Sequence, residues 1–127
     1  MPNTIRQWVQ KAEADWLLVE EIKQRSPDLN DQICFHCQQV AEKYLKVMLQ
    51  QLGLAVPKTH NLDGLLQHLL PHDATLRPLR RRLVTLARFA VDYRYPGFNA
   101  TTRQAQASIR SATVIREELR RRLGLPT

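Results

Sequence analysis

Side chains able to exchange protons or hold metals near neutral pH are few in this chain. They are four histidines, His36, His60, His68 and His72, and two cysteines, Cys34 and Cys37. Cys34-Phe35-His36-Cys37 contains three potential metal ligands. On a helix, however, the two thiols share a face while His36 points well away from Cys34. With no second cysteine pair, small buried thiols on a helix seam are the expected outcome, and no metal site is expected. His68 and His72 stand four apart, but Pro71 interrupts the helix between them. The chain has no glycine-rich phosphate loop, dinucleotide fingerprint or nucleophile elbow, and no cofactor is expected. Asp15, Glu20, Glu21, Glu42, Glu117 and Glu118 read as exposed helix charges.

Three clusters are less ordinary. In the run from His36 to Lys46, the polar residues Gln39, Glu42, Lys43 and Lys46 crowd beside an apolar seam. Lys58-Thr59-His60-Asn61-Leu62 places a cation and an imidazole at a helix start, where an anion can be held. Asp92-Tyr93-Arg94-Tyr95-Pro96-Gly97 flanks an arginine with tyrosines at a helix end, a combination suited to base stacking and phosphate pairing. If the fold gathers these ends, Lys43, Lys58, His60, Arg94 and Tyr95 form one nucleotide or anion site.

Helices must position all of these groups. Apolar residues recur at three- and four-residue spacing almost throughout, and no alternating strand pattern occurs. The first stripe, Ile5 to Ile22, predicts a helix over 4–25, capped by Asn3 or Thr4. The second begins at Asn30 or Asp31, both good caps, and stops at Gly53, a candidate left-handed terminal residue. A short helix follows over 61–70. The stripe Leu76, Leu79, Leu83, Leu86, Ala90, Tyr93 predicts a long helix from about Asp73, with Pro78 in its first turn. Thr101 or Thr102 caps the last helix, which Gly124 and Pro126 close. The expected fold is all-α: one domain over 1–127, an antiparallel up-and-down bundle of four long helices and one short one. Trp8, Trp16 and the leucines are expected in its core.

At 127 residues the chain suits one ordinary domain. No apolar run approaches a membrane span and no signal-peptide layout opens the sequence, so a cytoplasmic protein is expected. The charge is uneven. Residues 1–72 carry net −1, whereas residues 73–127 carry twelve basic residues, all arginine, against four acidic ones. Arginine's planar fork suits phosphate and carboxylate, so an anionic partner fits this half, although a solvated helical surface fits as well.

Taken in order, these features resemble the HEPN family (higher eukaryotes and prokaryotes nucleotide-binding). The matching residues are Phe35-His36-Cys37-Gln38-Gln39-Val40-Ala41-Glu42-Lys43-Tyr44-Leu45-Lys46, then Lys58-Thr59-His60-Asn61-Leu62, then Arg94-Tyr95-Pro96-Gly97. The resemblance spans about residues 5–123. It implies a helical bundle, usually a homodimer. Small members often pair with a minimal nucleotidyltransferase in modules that look like toxin–antitoxin systems. The resemblance also implies that many members are metal-independent ribonucleases, marked by an arginine, four to six intervening residues and then a histidine, often continued as His-x-Tyr, placed across a dimer interface.

This sequence departs from that signature. Arg88 and Tyr95 stand at the arginine and tyrosine positions, but Tyr93 occupies the histidine slot. An unperturbed phenol with a pKa near ~10 is a poor base at neutral pH. The expected function is therefore a non-catalytic HEPN protein that binds nucleotide or RNA and partners a nucleotidyltransferase. The alternatives are a ribonuclease toxin using an unusual base such as His60, and a purely structural interaction bundle.

Overall fold

A computed structural model describes residues 1–92, 95–97 and 99–127, the side chains of residues 91 and 92 excepted. Among the described residues five α-helices pack together: α1 (Asn3–Arg25), α2 (Asn30–Gln51), α3 (Leu62–Leu69), α4 (Arg80–Asp92) and α5 (Thr102–Arg122). A 3-10 helix, Ala74–Leu79, leads directly into α4. No strand occurs among the described residues.

The helix ends show where local sequence decides structure. Gly53 takes φ 72°, and the amide of Leu54 reaches back to the carbonyl of Leu49 at 2.9 Å, which ends α2 in the left-handed manner its sequence predicts. Thr101 caps α5 in a reciprocal box with Gln104, each accepting from the other's amide at 3.1 and 2.9 Å. Asn61 caps α3 by accepting from the Gly64 amide at 3.1 Å.

Three expectations are corrected. Asn3 and Thr4 do not cap α1; the residue before its first turn is Pro2, with no side-chain cap. Asn30 and Asp31 do not cap α2 either. Their side chains reach across to the backbone of Ala100, Asn30 Nδ2 donating to its carbonyl at 3.2 Å and Asp31 Oδ1 accepting from its amide at 2.6 Å. Two capping-type residues thus pin the segment between α4 and α5 to the start of α2. Finally, α4 begins at Arg80 rather than near Asp73. Pro78 cannot donate a backbone bond, and the residues around it take the tighter 3-10 form, started by Asp73 accepting from the Thr75 amide at 3.1 Å.

At the centre lies α2, which packs against α1, α3, α4 and α5. Its centrality explains why Cys34, Cys37, Val40, Ala41, Tyr44, Leu45, Val47 and Leu49, spread around the helix, are all fully buried. The stripe Leu76, Leu79, Leu83, Leu86 and Ala90 is buried as its spacing predicts. Trp8 and Trp16 are only half-buried and sit at the core's edge. Each carries a cation over its ring, Lys46 Nζ at 5.7 Å from Trp8 and the Arg116 guanidinium at 5.1 Å from Trp16.

Side-chain pairs fix the directions of the helices. Trp8–Lys46 and Glu13–Tyr44 make α1 antiparallel to α2. Arg122 at the end of α5 bonds Asp73 and Thr75 ahead of α4, which makes α4 and α5 antiparallel. Cys34–Ser108 and Tyr44–Arg120 advance together, so α2 and α5 run parallel side by side.

Candidate functional site

The polar run of α2 splits by helical spacing into two columns. Gln38, Glu42 and Lys46 recur every four residues and share one face; His36 and Lys43, seven apart, share another. The first column is buried along its length. Glu42, whose side chain is only 4% exposed, accepts from Lys46 Nζ at 3.1 Å and from Gln38 Nε2 at 3.2 Å. It also meets His60 Nδ1, 3.0 and 3.1 Å from its two oxygens. Gln38 Nε2 holds the His60 carbonyl too, at 3.2 Å. The loop before α3 is therefore clamped onto α2 through one buried carboxylate.

That clamp leaves the His60 side chain 74% exposed. A carboxylate can only accept, so the neutral imidazole keeps its proton on Nδ1, and Nε2 presents a lone pair. Contact between Nε2 and an anion requires the doubly protonated ring. Lys58 is exposed two residues earlier. The α3 N-terminus beside them is already capped by Asn61.

The second column faces α1. Asp15 is buried and accepts from His36 Nδ1 at 2.8 Å and from Lys43 Nζ. Lys43 and His60 are thus held by different carboxylates on different faces of α2, and the structure does not bring them into one cluster. The Cys34–His36–Cys37 set divides as helical geometry requires. The thiols are buried, and burial pushes both above their usual range, Cys34 receiving a bond from Ser108 at 3.5 Å; His36 goes to Asp15 instead.

Glu13, unremarked in the sequence, organises a third cluster. It accepts from Tyr44 Oη at 2.5 Å, Arg116 Nε at 2.9 Å and Arg116 Nη2 at 2.6 Å, and Arg120 Nη1 donates to the same tyrosine oxygen at 2.8 Å. Burial alone would raise the Glu13 carboxyl, but the bonds from Arg116 and Tyr44 and the charges of Arg116 and Arg120 hold it below its usual value. Burial and the bond to Glu13 push the Tyr44 phenol up. A carboxyl depressed by folding stabilises the fold above its unfolded value near ~4.3, and that contribution is lost as pH falls through the lower folded value. Glu13→Gln is therefore expected to flatten the acid limb of a urea-denaturation pH profile below about pH 4. An unchanged acid limb would remove Glu13 from this role.

Asp15 and Glu42 are the sites where the sequence reading fails, since both were expected on the surface. The available signal is register. Asp15 falls between Ala12 and Val19 at spacings of three and four, inside the buried stripe of α1, and Glu42 lies among the buried positions of the central helix.

Among the remaining candidates, Arg88 is exposed on α4 and Tyr95 is 59% exposed beyond its end. Tyr93 and Arg94 lie outside the described residues, as does the meeting of Arg94 with the Lys58–His60 loop. Among the described residues, five of the arginines after residue 72 pair with carboxylates: Arg80 with Asp63, Arg116 and Arg120 with Glu13, Arg121 with Glu118, and Arg122 with Asp73 and Glu118. No described helix is long and apolar enough to cross a membrane, and no described cluster of three or more residues has metal-ligating composition.

The site thus consists of a central helix carrying Gln-Gln-x-x-Glu-Lys-x-x-Lys, clamped through its glutamate to a downstream Lys-Thr-His loop in a helical bundle. Residues 5–122 match the HEPN domain family, and the chain belongs to it. No curated protein and no solved structure matches the chain.

Proposed function

We propose that this HEPN protein binds nucleotide or RNA without cleaving it, and acts in the cytoplasm beside a minimal nucleotidyltransferase in a toxin–antitoxin-like pair. The observation that carries the binding is the Glu42 clamp, which fixes the backbone around His60 while leaving Lys58 and the His60 ring at the surface. Lys58, the His60 ring, Arg94 and Tyr95 supply charge and a stacking face for the ligand. Lys43, held by Asp15, contributes through the shape of α2 rather than as a free cation. Non-catalysis rests on the phenol at position 93, in the slot where the family's ribonucleases carry histidine. The protein is expected to be a homodimer.

The test is fluorescence anisotropy with labelled ATP and a labelled mixed-sequence RNA, with Lys58→Glu and Tyr95→Ala beside the parent. Binding that each substitution weakens several-fold supports the site. A parent that binds neither probe would instead be a purely structural bundle. Size exclusion after co-expression with an adjacent nucleotidyltransferase tests the partnership, which separate elution would overturn.

A second reading, a metal-independent ribonuclease using His60, is favoured by the same clamp. A carboxylate-oriented imidazole with a lone pair on an exposed Nε2 has the form of a general base. RNA cleavage by the parent, abolished by His60→Ala, would select it.

A further inference from the structure

Five of the arginines after residue 72 are neutralised within the fold, whereas Arg77, Arg81, Arg82, Arg88, Arg103 and Arg110 make no ion pair among the described residues. Four of these six form two rows. Arg81 and Arg88 are both exposed and seven residues apart on α4. Arg103 and Arg110 repeat that spacing on α5. Seven residues are nearly two helical turns, so each row is in line, its members about 10 Å apart. Both rows lie on the side opposite the buried stripes, which are Leu83, Leu86 and Ala90 on α4 and Ala105, Ala112, Ile115 and Leu119 on α5. The two helices are packed antiparallel, which sets the C-terminal half of α4 beside the N-terminal half of α5. The α5 carboxylates, Glu117 and Glu118, stand beyond the arginine rows toward its other end.

We infer that this outer face of α4 and α5 is a track for the phosphate backbone of single-stranded RNA, distinct from the Lys58–His60 site. The inference rests on the RNA half of the proposed function and decides between polymer and mononucleotide. Guanidinium rows spread over two helices match several phosphates of a strand, whereas one nucleotide can engage only one end. Unpaired arginines engage phosphate without first breaking an internal ion pair.

The experiment measures anisotropy of a labelled 20-nucleotide mixed-sequence RNA between 50 and 200 mM salt, beside a duplex RNA of equal length and ATP as competitor. Four phosphate contacts predict a log–log salt slope of about −3 for the single strand. Arg81→Glu/Arg110→Glu is expected to weaken binding at least about tenfold and to flatten the slope by at least ~1. Lys11→Glu/Lys23→Glu makes the same change of net charge on the exposed side of α1, and is expected to stay within about twofold of the parent. Equal loss in both double variants overturns the track, because it would report net charge alone. Tighter binding of the duplex overturns it, as does full displacement of RNA by ATP. So does capture of an acidic partner protein by this face with no RNA bound. RNA binding lost in Lys58→Glu but intact in Arg81→Glu/Arg110→Glu overturns the track and leaves the proposed function standing. A parent that binds neither RNA nor ATP overturns both.

Discussion

Replacing Glu42 with alanine is expected to cost about 3–5 kcal/mol of folding stability, a large part of the ~5–15 kcal/mol typical of a domain. The carboxylate is almost fully buried and serves Lys46, Gln38 and His60 together. Removing it leaves the Lys46 ammonium, itself buried, without its counter-charge. It also frees the His60 ring and loosens the loop that leads into α3. The contrast is Glu21→Ala, which breaks only the exposed pair with Arg25 and should change stability by less than ~1 kcal/mol. Urea unfolding at pH 7 measures both. A second variant separates lost charge balance from lost packing: Glu42→Leu/Lys46→Met removes both charges, and should recover most of what Glu42→Ala loses. If Glu42→Ala falls within 1 kcal/mol of the parent, the glutamate is an ordinary surface carboxylate and the clamp has no energetic meaning.

That contrast also marks how much could be read in advance. The number of helices, most of their boundaries, the Gly53 and Thr101 termini and the apolar stripes follow from spacing, because periodicity and capping are local. Asn30 and Asp31 failed as caps because their partner, the Ala100 backbone, lies about seventy residues away. Asp15 and Glu42 were misplaced for the same reason. A charged residue looks solvated until its partners on other elements are known, and here these are His36 and Lys43 on α2 and His60 before α3. The family motif singled out these stretches without showing that Lys43 and His60 serve different carboxylates. Nor could composition divide the arginines after residue 72 into five that stitch the bundle together and six that make no ion pair among the described residues.

The parent protein is expected to leave single-stranded RNA intact in the absence of metal, and Tyr93→His to introduce cleavage. Position 93 lies five residues after Arg88 and two before Tyr95, where the family's ribonucleases carry histidine. Cleavage by attack of a 2′-hydroxyl requires removal of its proton as the phosphorus–oxygen bond forms, and protonation of the leaving oxygen. Imidazole exchanges protons readily near neutrality, whereas a phenol there stays protonated and can donate but scarcely accept. Positioned general acid–base catalysis contributes about 10²–10⁴-fold, which sets the gain expected from the single substitution. Arg88 is already exposed on α4, ready to hold the phosphate, so no second change should be needed. The assay compares the parent, Arg88→Ala, His60→Ala, Tyr93→His and Tyr93→His/Arg88→Ala on one mixed-sequence RNA. Activity that appears with histidine and disappears again without Arg88 places the chemistry at this motif. Activity in the parent that vanishes with Arg88→Ala would mean that the motif works without its histidine, and the non-catalytic reading would fall. Activity in the parent that survives Arg88→Ala but is lost in His60→Ala would move the base to the Glu42–His60 pair.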